Sequence, residues 1–366
     1  MINSEKFLKF LLKKNIKYYA GVPDSCTNEF CNALRNKKVS NIVTANEGVA
    51  VSLGIGYHLA TKKLPCVYLQ NSGLGNATDP LTNLSNKEVY GIPLILMIGW
   101  RGAPGINDEA QHDIQGRILL KSLTSYGIKY LVMKKESDTK KISKLINFAK
   151  KKNQTVALII KPKTFSAVKK QKLEKKVETI FRKDIIEFLL ENIGKKTKIF
   201  SSVGYNSREL HQISLKKNYK KGKNFLLVGA MGHTLSVSLS YSKFKNDQII
   251  CLDGDGSFIM HLGSFMLVNR ISRKNFKYIL INNESHESIG GQKIDLGKVD
   301  FKKLSDAFGF KKYFFLNKKK DLKIKMRQFL KSKGPSFFHV KIKSGTLENL
   351  IRPKNFQSIK KNFMRV

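Results

Sequence analysis

The chain alternates between short, continuously apolar runs and longer amphipathic stretches. Between Ser4 and Lys14, Phe7, Leu8, Leu11 and Leu12 fall on one face at helical spacing, with Ser4 placed to cap the helix. The run Ile16–Gly21 then reads as a strand ending in glycine. The second half opens in the same way, with a helical pattern over Asp184–Asn192 and a strand over Lys198–Gly204. Further strands are predicted at Cys66–Gln70, Leu94–Ile98, Tyr130–Met133 and Val156–Ile160, and again at Phe225–Val228, Gln248–Leu252, Tyr278–Ile281 and Phe337–Ile342. Most are apolar throughout rather than alternating, as expected of parallel strands covered on both faces. The pattern predicts two doubly wound α/β domains with parallel sheets. They would span residues 1–165 and 181–366, joined by a Lys-rich linker over 166–180. No shorter repeat is present, only this faint two-fold repetition.

Composition narrows the classes. The 366 residues are 41% hydrophobic, enough for packed cores. No uncharged apolar stretch approaches the ~18 residues of a spanning helix, and the start lacks the apolar core of a secretory signal. Four cysteines without a CxxC pair suit a reducing, cytoplasmic setting. Charge is the anomaly: 68 basic against 27 acidic residues, net +41. A polyanion partner would explain it. However, only ten of the basic residues are Arg, and the lysines scatter along the chain with no aromatic-interleaved stripe. Compositional drift is the simpler account, and no nucleic-acid or membrane partner is expected.

Three segments carry chemistry. In the first, the apolar strand Gln248–Leu252 runs into Gly254-Asp255-Gly256-Ser257, and a second strand nearly thirty residues on ends in Asn282-Asn283. Glycines and a helix start admit phosphate oxygens close to the backbone. A diphosphate wants a hard cation, and Mg²⁺ takes one or two protein carboxylates plus neutral oxygens, here Asp255 and a carboxamide. The second segment, Thr44–Gly56, sets Glu47 at the entry to a Gly- and Ala-rich helix. In the third, Val228-Gly229-Ala230-Met231-Gly232-His233, a strand ends in a glycine-rich turn.

Together these segments resemble the thiamine-diphosphate-dependent enzymes. That resemblance implies a fold of two thiamine-diphosphate-binding domains, pyrimidine-binding (Glu47) and then diphosphate-binding, with no central third domain. It implies thiamine diphosphate and Mg²⁺ as cofactors. Asp255, Asn283 and the Ser285 carbonyl would hold the metal, and Gly254, Gly256 and Ser257 would lie at the diphosphate. Glu47 would bond the pyrimidine, the Gly229 carbonyl would accept its amino group, and Met231 would wedge the cofactor. It also implies a homodimer or larger assembly with active sites at the subunit interface.

The compact length and the runs Gly21-Val-Pro-Asp24-Ser25, Gln70–Asn76, Gly99–Gly105, Asp108–His112, Ser207–Leu210 and His286–Gln292 resemble the decarboxylases of phosphonopyruvate and sulfopyruvate. These imply decarboxylation of a small anionic 2-oxo acid, with phosphonopyruvate the first expectation and phosphonate biosynthesis the setting. Asp24, His112, His286 and Glu287 are the candidate proton donors beside Glu47, and Arg101 and Arg117 the candidate substrate cations. Asp24 as a turn cap and His112 as a satisfied loop histidine are the structural alternatives. Tyr205 stands where such relatives carry Lys, which leaves the acidic head group open to sulfonate. A carboligase of the same family is a further alternative.

Overall fold

The computed structural model describes all residues except 135–137, 168–179, 218–222, 295, 297 and 366. Most of the expected linker therefore lies outside the described residues. The chain forms two compact units, Met1–Leu173 with Ile289–Gln292, and Glu174–Ser288 with Lys293–Val366.

The first unit is built on a sheet of β1 (Tyr19–Gly21), β2 (Asn41–Val43), β3 (Cys66–Gln70), β4 (Ile95–Gly99), β5 (Lys129–Val132) and β6 (Val156–Ile160). Their order is β2-β1-β3-β4-β6-β5, parallel throughout. The continuous apolar runs are explained by the two layers that cover this sheet. Cys66, Tyr68, Ile95 and Met97 point into a core with Phe7, Leu8 and Leu11 of helix Ser4–Lys13, Phe30, and Ile142 and Ile146. The alternate residues Val67, Leu69, Leu96 and Ile98 meet Ala50, Val51 and Ile55 of helix Glu47–Thr61 on the opposite face, with Leu119 and Leu123. The first helix is capped by Asn3, whose side chain accepts the Lys6 N–H; the expected cap, Ser4, is fully buried inside the helix.

The second unit holds β7 (Lys198–Ser201), β8 (Asn224–Leu226), β9 (Ile249–Gly254), β10 (Phe276–Asn282), a two-residue pair β11 (Ser285–His286) and β12 (Gln292–Lys293), then β13 (Lys312–Leu316) and β14 (Ser336–Lys341). The six-stranded sheet runs β13-β14-β10-β9-β7-β8 and is again parallel. Counted in chain order, these six strands repeat the order of the first sheet, so the faint sequence repetition is a repetition of topology. The edge strands β2 and β13, which were not expected, are only partly buried. In both sheets the chain reverses its direction of winding between the first and third strands, and crevices for ligands form at the carboxyl ends there.

Most lysines are solvated, but among the described residues Lys198, Lys223 and Lys277 are buried. Lys198 is buried against the Phe363 ring, 4.6 Å from its centroid, and bonds the Phe363 carbonyl at 3.2 Å. This joins the C-terminal helix Phe356–Arg365 to the second unit, where Phe363 packs with Phe200, Phe225 and Tyr241. Lys277 on β10 caps the end of helix Leu322–Lys331, donating to the carbonyls of Phe329 and Ser332 at 2.8 and 2.6 Å. Burial pushes its ammonium down from 10.5 to about 8. Between those values the unfolded chain binds a proton that the folded chain does not, so this group's contribution to stability rises with pH across the window. Lys277→Met removes the effect. Followed by urea unfolding, wild type should gain on the variant from pH 8 to pH 10; a constant difference would mean that Lys277 is not buried as a charge.

Candidate active site

The second unit brings the two halves of the Gly-Asp-Gly and Asn-Asn pattern together through strand register. β9 and β10 pair with Gly254 opposite Ile281, so residues distant in sequence leave the sheet side by side. Asp253 anchors the end of β9 by accepting the Tyr278 hydroxyl at 2.9 Å. Asp255 opens helix Asp255–Met260 and is 5% exposed. Its Oδ2 accepts the N–H groups of Asn283 and Glu284 at 3.0 and 2.6 Å, and its Oδ1 accepts that of Gly256 at 2.8 Å. Burial pushes the carboxyl up to about 6 against these bonds.

The two asparagines divide the work. Asn282 is structural: its Oδ1 accepts the Glu284 N–H at 3.0 Å, and its amide contacts His339 Nε2 at 3.1 Å. Asn283 faces the cleft, its Oδ1 accepting the Ser285 N–H at 3.1 Å and its Nδ2 donating to Glu287 Oε2 at 2.8 Å.

An open cleft of about 480 Å³, counting its solvent mouth, lies at the carboxyl ends of β7 and β9, the winding switch of this sheet. Met231, Gly254, Asp255, Gly256, Asn283 and His286 line it, with Ser257 and Ser285 beside them. A side chain at Gly256 would stand 3.0 Å from His286 Cε1 and 3.2 Å from the Met231 methyl, so glycine keeps the floor low. Gly229 and Gly232 adopt positive φ, and the Gly232 N–H donates to Ser257 Oγ at 3.0 Å, which ties the Met231 turn to the Asp255 helix. His286 is buried, and its Nε2 has no hydrogen-bond partner among the described residues. Burial holds its imidazole down at about 4, so the ring is neutral near pH 7. A buried carboxylate that meets only backbone N–H groups, and an orphaned ring nitrogen on the same cleft, are what a site for a diphosphate and its divalent cation would offer.

The candidates of the first unit lie beyond the ends of β1 (Asp24), β2 (Glu47) and β4 (Arg101, His112 and Arg117). Glu47 begins the helix capped by Asn46, whose side chain accepts the Val49 N–H. It is 5% exposed, and burial pushes its carboxyl up. Its Oε2 accepts Asn76 Nδ2 at 2.7 Å, and a side chain at Gly73 would fall 2.1 Å from its Oε1. Asp24 is buried and closes the turn before helix Asn28–Asn36, accepting the Cys26 N–H and the Thr27 hydroxyl, both at 2.6 Å. Burial pushes its carboxyl up as well. His112 is buried in the first turn of helix Ala110–Ser125. Arg101 forks onto Asp108 through Nε and Nη2, which holds the Asp108 carboxyl well below its ordinary range. Arg117 is exposed on the same helix as His112.

Asn76, Gly73 and Arg182 were not anticipated. Asn76 and Gly73 stand in the Gln70–Asn76 run, whose polar and small residues were the available signal. Arg182 is 4% exposed and meets Asn206, Glu209 and Glu287, with its guanidinium 5.6 Å from the ring centroid of Tyr205. Its signal was an Arg in a chain that otherwise uses Lys.

Two family models match the chain. Residues 3–123 match the N-terminal TPP-binding domain of thiamine pyrophosphate enzymes, and residues 202–340 match the C-terminal TPP-binding domain. Among curated relatives, the chain is 28% identical to a phosphonopyruvate decarboxylase of Streptomyces viridochromogenes, over 97% of this chain and 92% of that one. It is 27% identical to that of Streptomyces hygroscopicus, over 97% and 91%. It is 24% identical to a sulfopyruvate decarboxylase of Methanosarcina acetivorans, over 93% and 91%. No helix among the described residues is long and apolar enough to cross a membrane. With both TPP-binding domains matched in order, one on each parallel sheet, the chain belongs to the thiamine pyrophosphate enzymes.

Proposed function

We propose that the chain is a thiamine-diphosphate- and Mg²⁺-dependent decarboxylase of 3-phosphonopyruvate, acting in phosphonate biosynthesis of the 2-aminoethylphosphonate type. The observation that carries this reading is the end-to-end likeness to phosphonopyruvate decarboxylases across both units. The reaction breaks the bond between the carboxylate and the keto carbon, releases CO₂ and places one proton on that carbon to give phosphonoacetaldehyde. When bound, thiamine diphosphate supplies the electron sink that lets this bond break.

The chain's own residues bind, orient and move protons. Asp255, Asn283 Oδ1 and the Ser285 carbonyl hold Mg²⁺, a hard-oxygen set of the kind it prefers. Gly254, Gly256 and Ser257 receive the diphosphate, while the Gly229 carbonyl and Met231 cradle the pyrimidine. Asn76 fixes Glu47 Oε2 and Gly73 leaves room for Oε1, so this buried carboxyl can bond the pyrimidine and hold a proton there. His286 lines the cleft with a neutral ring whose Cε1 and Nδ1 face the Gly256 floor, and we place proton transfer to the product on this imidazole. Asp24 and His112 are the acid–base residues we assign to the first unit, and Glu287 we assign to positioning. Arg101 and Arg117 are the proposed cations for the substrate; Asp108 already neutralises Arg101, so Arg117 has the larger share. We further propose a homodimer or larger assembly with active sites at the subunit interface.

A second reading, sulfopyruvate as substrate, is favoured by the likeness to a sulfopyruvate decarboxylase over 93% of the chain. Purified protein with thiamine diphosphate and Mg²⁺ should release CO₂ and aldehyde from phosphonopyruvate faster than from sulfopyruvate. The reverse preference selects the second reading, and turnover of neither ends both.

Glu47→Gln should lower turnover by about a hundredfold or more, the usual scale of a lost proton-transfer group, in a protein that still melts cooperatively. Gly73→Ala, which keeps the Glu47 residue but forces its carboxyl to shift, should lower kcat in the same direction. Full activity in either variant would remove Glu47 from this role.

A further inference from the structure

Glu287 and Arg182 take no part in the assignment of metal ligands, yet the geometry connects them to one. Arg182 lies at the start of helix Arg182–Asn192 and is almost completely buried. Each edge of its guanidinium is used: Nε donates to Asn206 Oδ1 at 2.9 Å, Nη1 to Glu209 Oε1 at 3.2 Å, and Nη2 to Glu287 Oε2 at 2.9 Å. Tyr205 lies against it. The other oxygen of Glu287, Oε1, accepts the Gly345 N–H. Glu287 Oε2 also accepts Asn283 Nδ2. The carboxylate therefore has each oxygen engaged, and one of its donors is the carboxamide on the cleft.

The consequence is an orientation. A carboxamide can present either its oxygen or its NH₂ to a cation, and only the oxygen binds one. Glu287 accepts only, so it takes the NH₂ end of Asn283 and turns Oδ1 the other way. Arg182, an always-charged planar fork, fixes Glu287 in turn through a charge-assisted bond. We propose that Arg182 and Glu287 are positioning residues that set the Asn283 carboxamide for Mg²⁺, which separates Glu287 from the proton donors. This rests on the cofactor reading given above.

The test is Mg²⁺ titration of the full-length protein with thiamine diphosphate present, followed by calorimetry. Glu287→Gln keeps the shape but replaces one acceptor by an NH₂ that faces donors. It should weaken Mg²⁺ about 10- to 100-fold, the range for lost partners of metal ligands. Asn283→Ala should weaken it at least as much. If Glu287 acts through Asn283, adding Glu287→Gln to Asn283→Ala should cost less than about twofold more. Multiplied effects, or Mg²⁺ affinity within about twofold of wild type in Glu287→Gln, would overturn the proposal while the cofactor reading stands. Wild-type protein that binds no thiamine diphosphate with Mg²⁺ would overturn both. Should Glu287→Gln not fold, Arg182→Lys serves instead: it keeps the charge, gives up the fork, and should weaken Mg²⁺ in the same direction; unchanged affinity there overturns the proposal equally.

Discussion

The second unit is organised around one buried carboxylate. Asp255 sits where β9 becomes a helix, and it is held by N–H groups that leave the neighbouring strand β10. An isolated charge in this position would be costly to bury. Backbone donors offset part of that cost and leave the carboxyl at about 6, a group that a divalent cation would stabilise further. The features around it follow from keeping this arrangement open. Gly256 leaves the floor bare, Ser257 ties down the Met231 turn, and Asn282 shapes the loop that lets Asn283 face outward.

The first unit solves a related problem differently. It has the same strand order but presents two buried acids, Glu47 and Asp24, rather than a glycine-floored cleft. Each acid is steadied by hydrogen bonds to its charged form while burial pushes its carboxyl up. Asp24 spends both oxygens on its own turn, whereas Glu47 is held at Oε2 by Asn76 from another segment and keeps Oε1 beside the bare Gly73. That difference in setting, on two buried carboxyls, is what sets Glu47 apart from Asp24.

The net charge of +41 has little to do with the site. The cleft of the second unit is made of carboxylates, carboxamides and glycines, and the cation among its lining residues, Arg182, is already paired. The instructive signal is the scarce Arg, not the abundant Lys. Arg101 and Arg182 both bind through several N–H groups of a rigid plane, to Asp108 in one case and to Asn206, Glu209 and Glu287 in the other. Lys offers a point charge and cannot make either arrangement.

The fold class was legible because its cause is local. Residues such as Val67 and Tyr68, or Cys251 and Leu252, must all be apolar when helices cover both faces of a parallel sheet, and the sequence shows it as continuous runs. Of the edge strands, β5 and β8 were read and β2 and β13 were not, and the first helix cap lies one residue earlier than expected because Asn3 accepts the Lys6 N–H. The segments around Glu47, Asp255 and Asn283 were also visible, since glycines and acids at strand ends have few structural uses in that combination. Side-chain partnerships were not visible. That Glu287 belongs with Arg182 and that Lys198 receives Phe363 depend on contacts between residues far apart in the chain. Sequence alone determined which strands pack and which segments meet at their ends. The tertiary structure decided which polar atoms are already spent on one another and which, such as His286 Nε2, are left without a partner among the described residues, because hydrogen bonding is settled by position and direction in space and not by order along the chain.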